Sequence, residues 1–186
     1  MMRHYTEREL IERIRRARGL AVLGHESWCA SDEHIDARIA EELRVWYARL
    51  LRTAPAERLP VRDLKEQVQE CRYTAAGGLA LRLPREGRRL VEVRLPEWRD
   101  PVRVFHAPGS GAERRQRDSL RRSTVADPVA VLDGDVLTLY GLEASVRSTV
   151  SPDPGARLER LLMTAPPAEG GYTFEDEDFL LPSDYR

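Results

Sequence analysis

Two spacings of apolar residues divide this chain. Up to about residue 75 they recur with helical period, and from about 78 to 150 they fall at every second position. Thr6-Glu7-Arg8-Glu9 reads as a capping box, with the Thr6 hydroxyl on the Glu9 amide and Glu9 reaching back. Leu10, Ile11, Ile14 and Ala17 form the stripe that follows, and Gly19 marks its stop. A second helix is predicted to open at Ser31 or Asp32 and to end before Pro55. Its face is Ile35, Ile39, Leu43, Trp46 and Leu50, widened by Ala40, Tyr47 and Leu51. Pro60 suits the first turn of a third helix over Val61 to Cys71, with Leu64, Val68 and Cys71 inward.

The second half reads as strands. Leu79, Leu81 and Leu83 alternate with Ala80 and Arg82; Val91, Val93 and Leu95 alternate with Glu92 and Arg94; Val102 and Val104 flank Arg103. Val129 to Leu132 and Val136 to Tyr140 enclose Asp133-Gly134-Asp135, a hairpin signal. Ala144 to Val150 is a further candidate strand, and Leu158 to Met163 fits a strand or a helical turn. Residues 107–127 form a long polar connection carrying Arg114, Arg115, Arg117, Arg121 and Arg122, with a short helix predicted from about Ala112 to Leu120. A connection that long inside a domain is usually functional or flexible. Pro166-Pro167 and Gly170-Gly171 then set apart a segment with Tyr172, Phe174, Phe179 and Tyr185 around Glu175-Asp176-Glu177-Asp178. It reads as an extended arm that is mobile in the free protein and docks apolar anchors and acids onto another surface. The expected fold is α+β: a helical region over 1–75, an antiparallel β unit over 78–163 and an arm over 164–186.

Composition narrows the function classes. Of 186 residues, 41% are hydrophobic and 33% charged, which describes a globular chain with a polar surface. The apolar runs are too short to span a bilayer, and Met1 to Glu7 carries no apolar core of a secretory signal. Net charge is -1, yet Lys65 is the only lysine among 30 basic residues. GC-rich coding accounts for that bias, and the physical consequence stands: arginine presents a rigid fork to carboxylates and phosphates.

Catalytic chemistry finds little support. His25, Cys29 and His34, near Asp32 and Glu33, are the best zinc-like group, but their spacing matches no standard site. Cys29 beside Trp28 is more simply a small buried residue. Cys29 or Cys71 with His106 would make a nucleophile pair only if the fold joined them. Asp133-Gly134-Asp135 is a turn, Glu175 to Asp178 lacks calcium-loop spacing, and Gly109-Ser110-Gly111 is no phosphate loop. Trp98, between Pro96 and Pro101, is the residue best placed to lock two elements together.

Leu81-Arg82-Leu83-Pro84 is followed by Leu90 to Leu95 and Glu97-Trp98-Arg99-Asp100-Pro101-Val102. Next come Arg114-Arg115-Gln116-Arg117, Asp127-Pro128-Val129-Ala130-Val131 and Leu137-Thr138-Leu139-Tyr140. This order, over roughly residues 78–141, resembles structural proteins of the tailed-phage neck from phages of gut bacteria and integrated relatives, with a weaker echo in Ile35 to Ile39. Arg85 departs from the acidic residue of that pattern, and no amphipathic helix follows Leu181-Pro182. The resemblance implies a head-tail connector or ring subunit that contacts portal or neighbouring neck and tail proteins. It implies a homo-oligomeric ring in the virion, passage through the host cytoplasm during assembly, and no enzymatic activity, cofactor or metal. The interaction residues read from the arginine segment, the Trp98 corner and the arm are Arg114, Arg115, Arg117, Arg121, Arg122, Trp98, Tyr172, Phe174, Phe179 and Tyr185. A nucleic-acid-binding or regulatory adaptor using 114–122, with non-specific DNA contact, is the alternative. An enzyme using His25, Cys29 or His106 is a third reading.

Overall fold

A computed structural model describes residues 1–20, 30–68, 70–118, 120–142 and 157–179. Its elements run β1 Met2–Tyr5, α1 Glu7–Ala17, α2 Ala30–Thr53, β2 Val61–Asp63, β3 Cys71–Tyr73, β4 Leu79–Arg82 and β5 Arg89–Arg94. They continue β6 Phe105–His106, α3 Gly111–Arg115, β7 Val129–Asp133, β8 Val136–Tyr140, β9 Arg160–Thr164 and β10 Tyr172–Glu175. The chain is α+β, with an N-terminal helix pair and antiparallel sheets. It divides into two compact units, Met1–Pro60 with Thr164–Arg186, and Val61–Met163. No described helix is long and apolar enough to cross a membrane.

The first unit is built on α1 and α2. The capping box forms as its residues dictate: the Glu9 amide donates to the Thr6 hydroxyl and the Thr6 amide to the Glu9 carboxylate, at 3.3 and 2.7 Å. Leu10 and Ile14 of α1 meet Ile39, Leu43, Trp46, Tyr47 and Leu51 of α2 in one core, the i, i+4 stripe read from the sequence. The gap in that core is filled by the C-terminal segment. β10 pairs antiparallel with β1, Tyr5 opposite Tyr172 and Arg3 opposite Phe174. Phe174 is fully buried, its ring centroid 5.0 Å from Trp46 in an edge-on contact and 5.1 Å from Tyr5 in a stack. The Tyr47 hydroxyl donates to the Thr173 carbonyl and accepts from the Thr173 amide, at 3.1 and 3.0 Å. Burial pushes the Tyr47 phenol up to about 12.

The expected docking arm is therefore corrected: residues 172–179 are part of the helical unit. Alternation buries Tyr172 and Phe174, and the carboxylates that follow find arginines of their own unit. Glu175 pairs with the N-terminal ammonium at 2.9 Å and Arg58 at 3.4 Å. Asp176 pairs with Arg3 and Arg13, each at 3.0 Å, and Asp178 with Arg58 at 3.5 Å. The Arg13 guanidinium also lies over the Phe179 ring, 4.7 Å from its centroid.

The second unit holds a five-stranded sheet in the order β3-β4-β8-β7-β6 and a three-stranded sheet in the order β2-β9-β5. The first is antiparallel except for β6, which runs parallel to β7. The hairpin forms as read, with Asp133 opposite Val136 and Gly134 at φ +59°, a conformation that turns of this type demand. Leu79, Leu81, Leu137 and Leu139 are buried in its core.

Other expectations differ. The described residues of 61–71 form no α-helix, only a single 3-10 turn at Lys65–Gln67 between β2 and β3. β2 lies beside β9, the Leu64 amide donates to the Leu161 carbonyl at 2.9 Å, and Asp63 accepts the Leu161 amide at 3.0 Å. Leu64 and Val68 do point inward, so sheet pairing overrides a helical spacing only two turns long. Glu92, expected outside, is buried between Arg103 at 2.8 Å and Arg160 at 3.2 Å. Val102 makes only an isolated bridge with Val93. The candidate strand Ala144 to Val150 lies outside the described residues.

Candidate interaction surface

The arginine connection belongs to the second unit. Ser110 caps α3, its hydroxyl accepting the Glu113 amide at 3.3 Å, and Ala112 packs with Val129, Val131 and Tyr140 of the sheet. The helix ends at Arg115, earlier than the sequence suggested, where the backbone bonds tighten to i+3 turns, and Gln116 follows. Its buried side-chain amide donates to the Ala112 carbonyl at 2.8 Å and to the Ser123 hydroxyl at 2.9 Å. Its side-chain carbonyl accepts the Ser123 amide at 3.0 Å. Every polar atom of a buried amide is thus used, and the chain is clasped across residues 116 and 123.

Between those points Asp118 organises the turn. Its carboxylate accepts the Leu120 amide at 3.0 Å, and its backbone carbonyl accepts the Arg121 and Arg122 amides at 3.1 and 2.9 Å. The return leg is also pinned. Gly141 holds φ +94°, and a β-carbon there would meet the Thr124 carbonyl oxygen at 2.5 Å. The Gly141 carbonyl accepts the buried Trp98 indole N–H at 2.9 Å. Trp98 thus ties the connection after β5 to the end of β8, and being fully buried it presents no surface to a partner.

All five arginines of the loop are exposed. Arg114 donates to the Gly109 carbonyl at 2.8 Å, and Arg121 sits 3.7 Å from Asp118. Among the described residues, no carboxylate lies within ion-pair distance of Arg115, Arg117 or Arg122. Leu120 is 94% exposed at the turn. Burial and the nearby Glu113 carboxylate push the Tyr140 phenol up, with Arg117 opposing them.

The other residues singled out in the sequence lie elsewhere. Tyr172 and Phe174 are interior and Phe179 is half-buried against Trp46, so the first two present no surface to a partner. Tyr185, His25 and Cys29 lie outside the described residues. His34 and Glu33 are exposed on α2, and no three metal-ligating side chains converge among the described residues. Cys71 is on β3 and His106 on β6, opposite edges of the five-stranded sheet. At ~4.8 Å per strand that is about 19 Å, too far for a nucleophile and its base. Burial also pushes the Cys71 thiol up, away from the reactive thiolate. Sequence reading missed the Gln116 clasp; the only signal was a lone amide residue set between Arg115 and Arg117.

No protein-family model matches the chain, and no curated protein matches its sequence.

Proposed function

We propose that the chain is a structural assembly subunit that docks through its arginine loop. The observation that carries this reading is a set of exposed guanidinium groups with no ion-pair partner among the described residues: Arg117 and Arg122 on a loop clasped between Gln116 and Ser123, and Arg115 at the end of α3. Free arginines on a positioned loop are matched to planar acids at a contact surface, where the fork binds bidentately. Positioning them in advance lowers the ordering cost of association.

The setting follows from the sequence resemblance: the neck of a tailed-phage virion, as a head-tail connector or ring subunit. Its partners there are the portal or neighbouring neck and tail proteins and further copies of itself. The subunit acts by contact, without catalysis or a cofactor. Non-specific DNA contact is the second reading, drawn from the same arginines. Leu120, 94% exposed among them, has no role on a phosphate-tracking surface and favours the protein contact.

Quantitative mass spectrometry of purified particles tests the setting. The reading requires the chain in mature particles at a fixed copy number relative to the portal. Absence from particles whose portal and tail proteins are present overturns it.

A further inference from the structure

The arginine loop presents an apolar side chain among its charges, and that combination specifies its partner more narrowly than charge alone. Leu120 is 94% exposed, at the crest of a turn set by the Asp118 carboxylate and closed by Gln116 and Ser123. Arg117, Arg121 and Arg122 flank it in sequence. A single exposed leucine on a fraying loop would carry no meaning. Here the Leu120, Arg121 and Arg122 amides all bond Asp118, so the side chain is held out in a defined place.

We propose that the loop is a plug for a protein surface, an apolar socket rimmed by carboxylates, with Leu120 filling the socket and Arg115, Arg117 and Arg122 closing on the rim. This rests on the assembly reading above and names the partner's chemistry. Interface hot spots have this arrangement, an apolar anchor desolvated inside a ring of polar contacts. An exposed leucine gains nothing against a phosphate backbone, whereas an apolar socket buries it, and Asp118 keeps its bonds within the loop. Charge complementarity would guide encounter, and burial of Leu120 would slow dissociation.

The experiment titrates the full chain with three probes at physiological salt: poly(Glu), poly(Glu,Tyr), which sets apolar groups among the carboxylates, and a short random-sequence duplex DNA. Wild type should bind poly(Glu,Tyr) about tenfold tighter than poly(Glu), the margin expected from burying most of one leucine. Leu120→Ser should erase that margin and leave poly(Glu) binding unchanged, and Leu120→Met should keep it. Replacing Arg115, Arg117 and Arg122 by Gln should abolish binding to both polymers. These side chains are exposed, so melting curves should match wild type and separate lost binding from lost folding. No margin in wild type, or a margin that survives Leu120→Ser, overturns the plug and leaves the charge reading standing. Full binding by the triple variant overturns the assembly surface itself. Duplex DNA bound more tightly than either polymer overturns the protein socket in favour of a nucleic-acid contact.

Discussion

Gln116 and Ser123 exchange two hydrogen bonds, amide to hydroxyl at 2.9 Å and backbone amide to side-chain carbonyl at 3.0 Å, and so close the base of the arginine loop. A third bond ties the same amide to the Ala112 carbonyl at 2.8 Å. The loop's position thus depends on one buried polar residue.

Gln116→Ala should remove all three bonds and leave the Ser123 amide and Ala112 carbonyl without partners. The cost expected is ~1–3 kcal/mol, the range for buried groups left unsatisfied. Amide hydrogen exchange checks the local part: Ser123 should lose its protection while the hairpin amides of β7 and β8 keep theirs. Unchanged protection at Ser123 would mean that the clasp does not hold the loop.

Phe174→Ala should destabilise the helical unit by ~3–5 kcal/mol, as large-to-small changes at fully buried aromatics do. Truncation after Ala168 removes β10, Phe174 and Phe179 together, and should abolish the helical circular-dichroism signal of α1 and α2. A truncated chain that melts like the whole one would restore the docking arm.

Acid should loosen the same unit. The Tyr5 hydroxyl and the Arg13 guanidinium hold the Asp176 carboxyl below the usual carboxylate range, and the N-terminal ammonium does the same for Glu175. A carboxyl lowered on folding contributes fully above its unfolded value, about 4, and its contribution is lost as pH falls through the folded value. The melting temperature should therefore fall as pH drops below that range. Asp176→Asn should lower it at neutral pH and flatten the acid slope, read by thermal scans across pH. A slope unchanged in the variant would remove Asp176 from the account.

Local signals were legible in the sequence, and long-range ones were not. The Thr6–Glu9 box, the stripes of α1 and α2 and the turn at Gly134 are written within a few residues of each other, and each formed as read. β1 and β10 lie far apart in sequence, and only their pairing turns Tyr172 and Phe174 from exposed anchors into core. The carboxylates at 175–178 argued against burial because the partners of Glu175, Asp176 and Asp178, which are Arg3, Arg13 and Arg58, come from distant segments. Residues 61–71 misled for the complementary reason: their spacing satisfies a helix, and strand β9 supplies the better bonds. In the candidate surface, the arginines were visible as composition. The clasp that holds them was not, because it depends on the rotamer of a single glutamine.

If the exposed arginines of this loop make the proposed assembly contact, particles cannot be completed without them. The most direct test is electron microscopy of particles from cells in which the chain with Arg115, Arg117 and Arg122 replaced by Gln substitutes for wild type. An assembly contact requires filled heads without tails, at wild-type levels of folded protein. Tailed, infectious particles at wild-type frequency would contradict it.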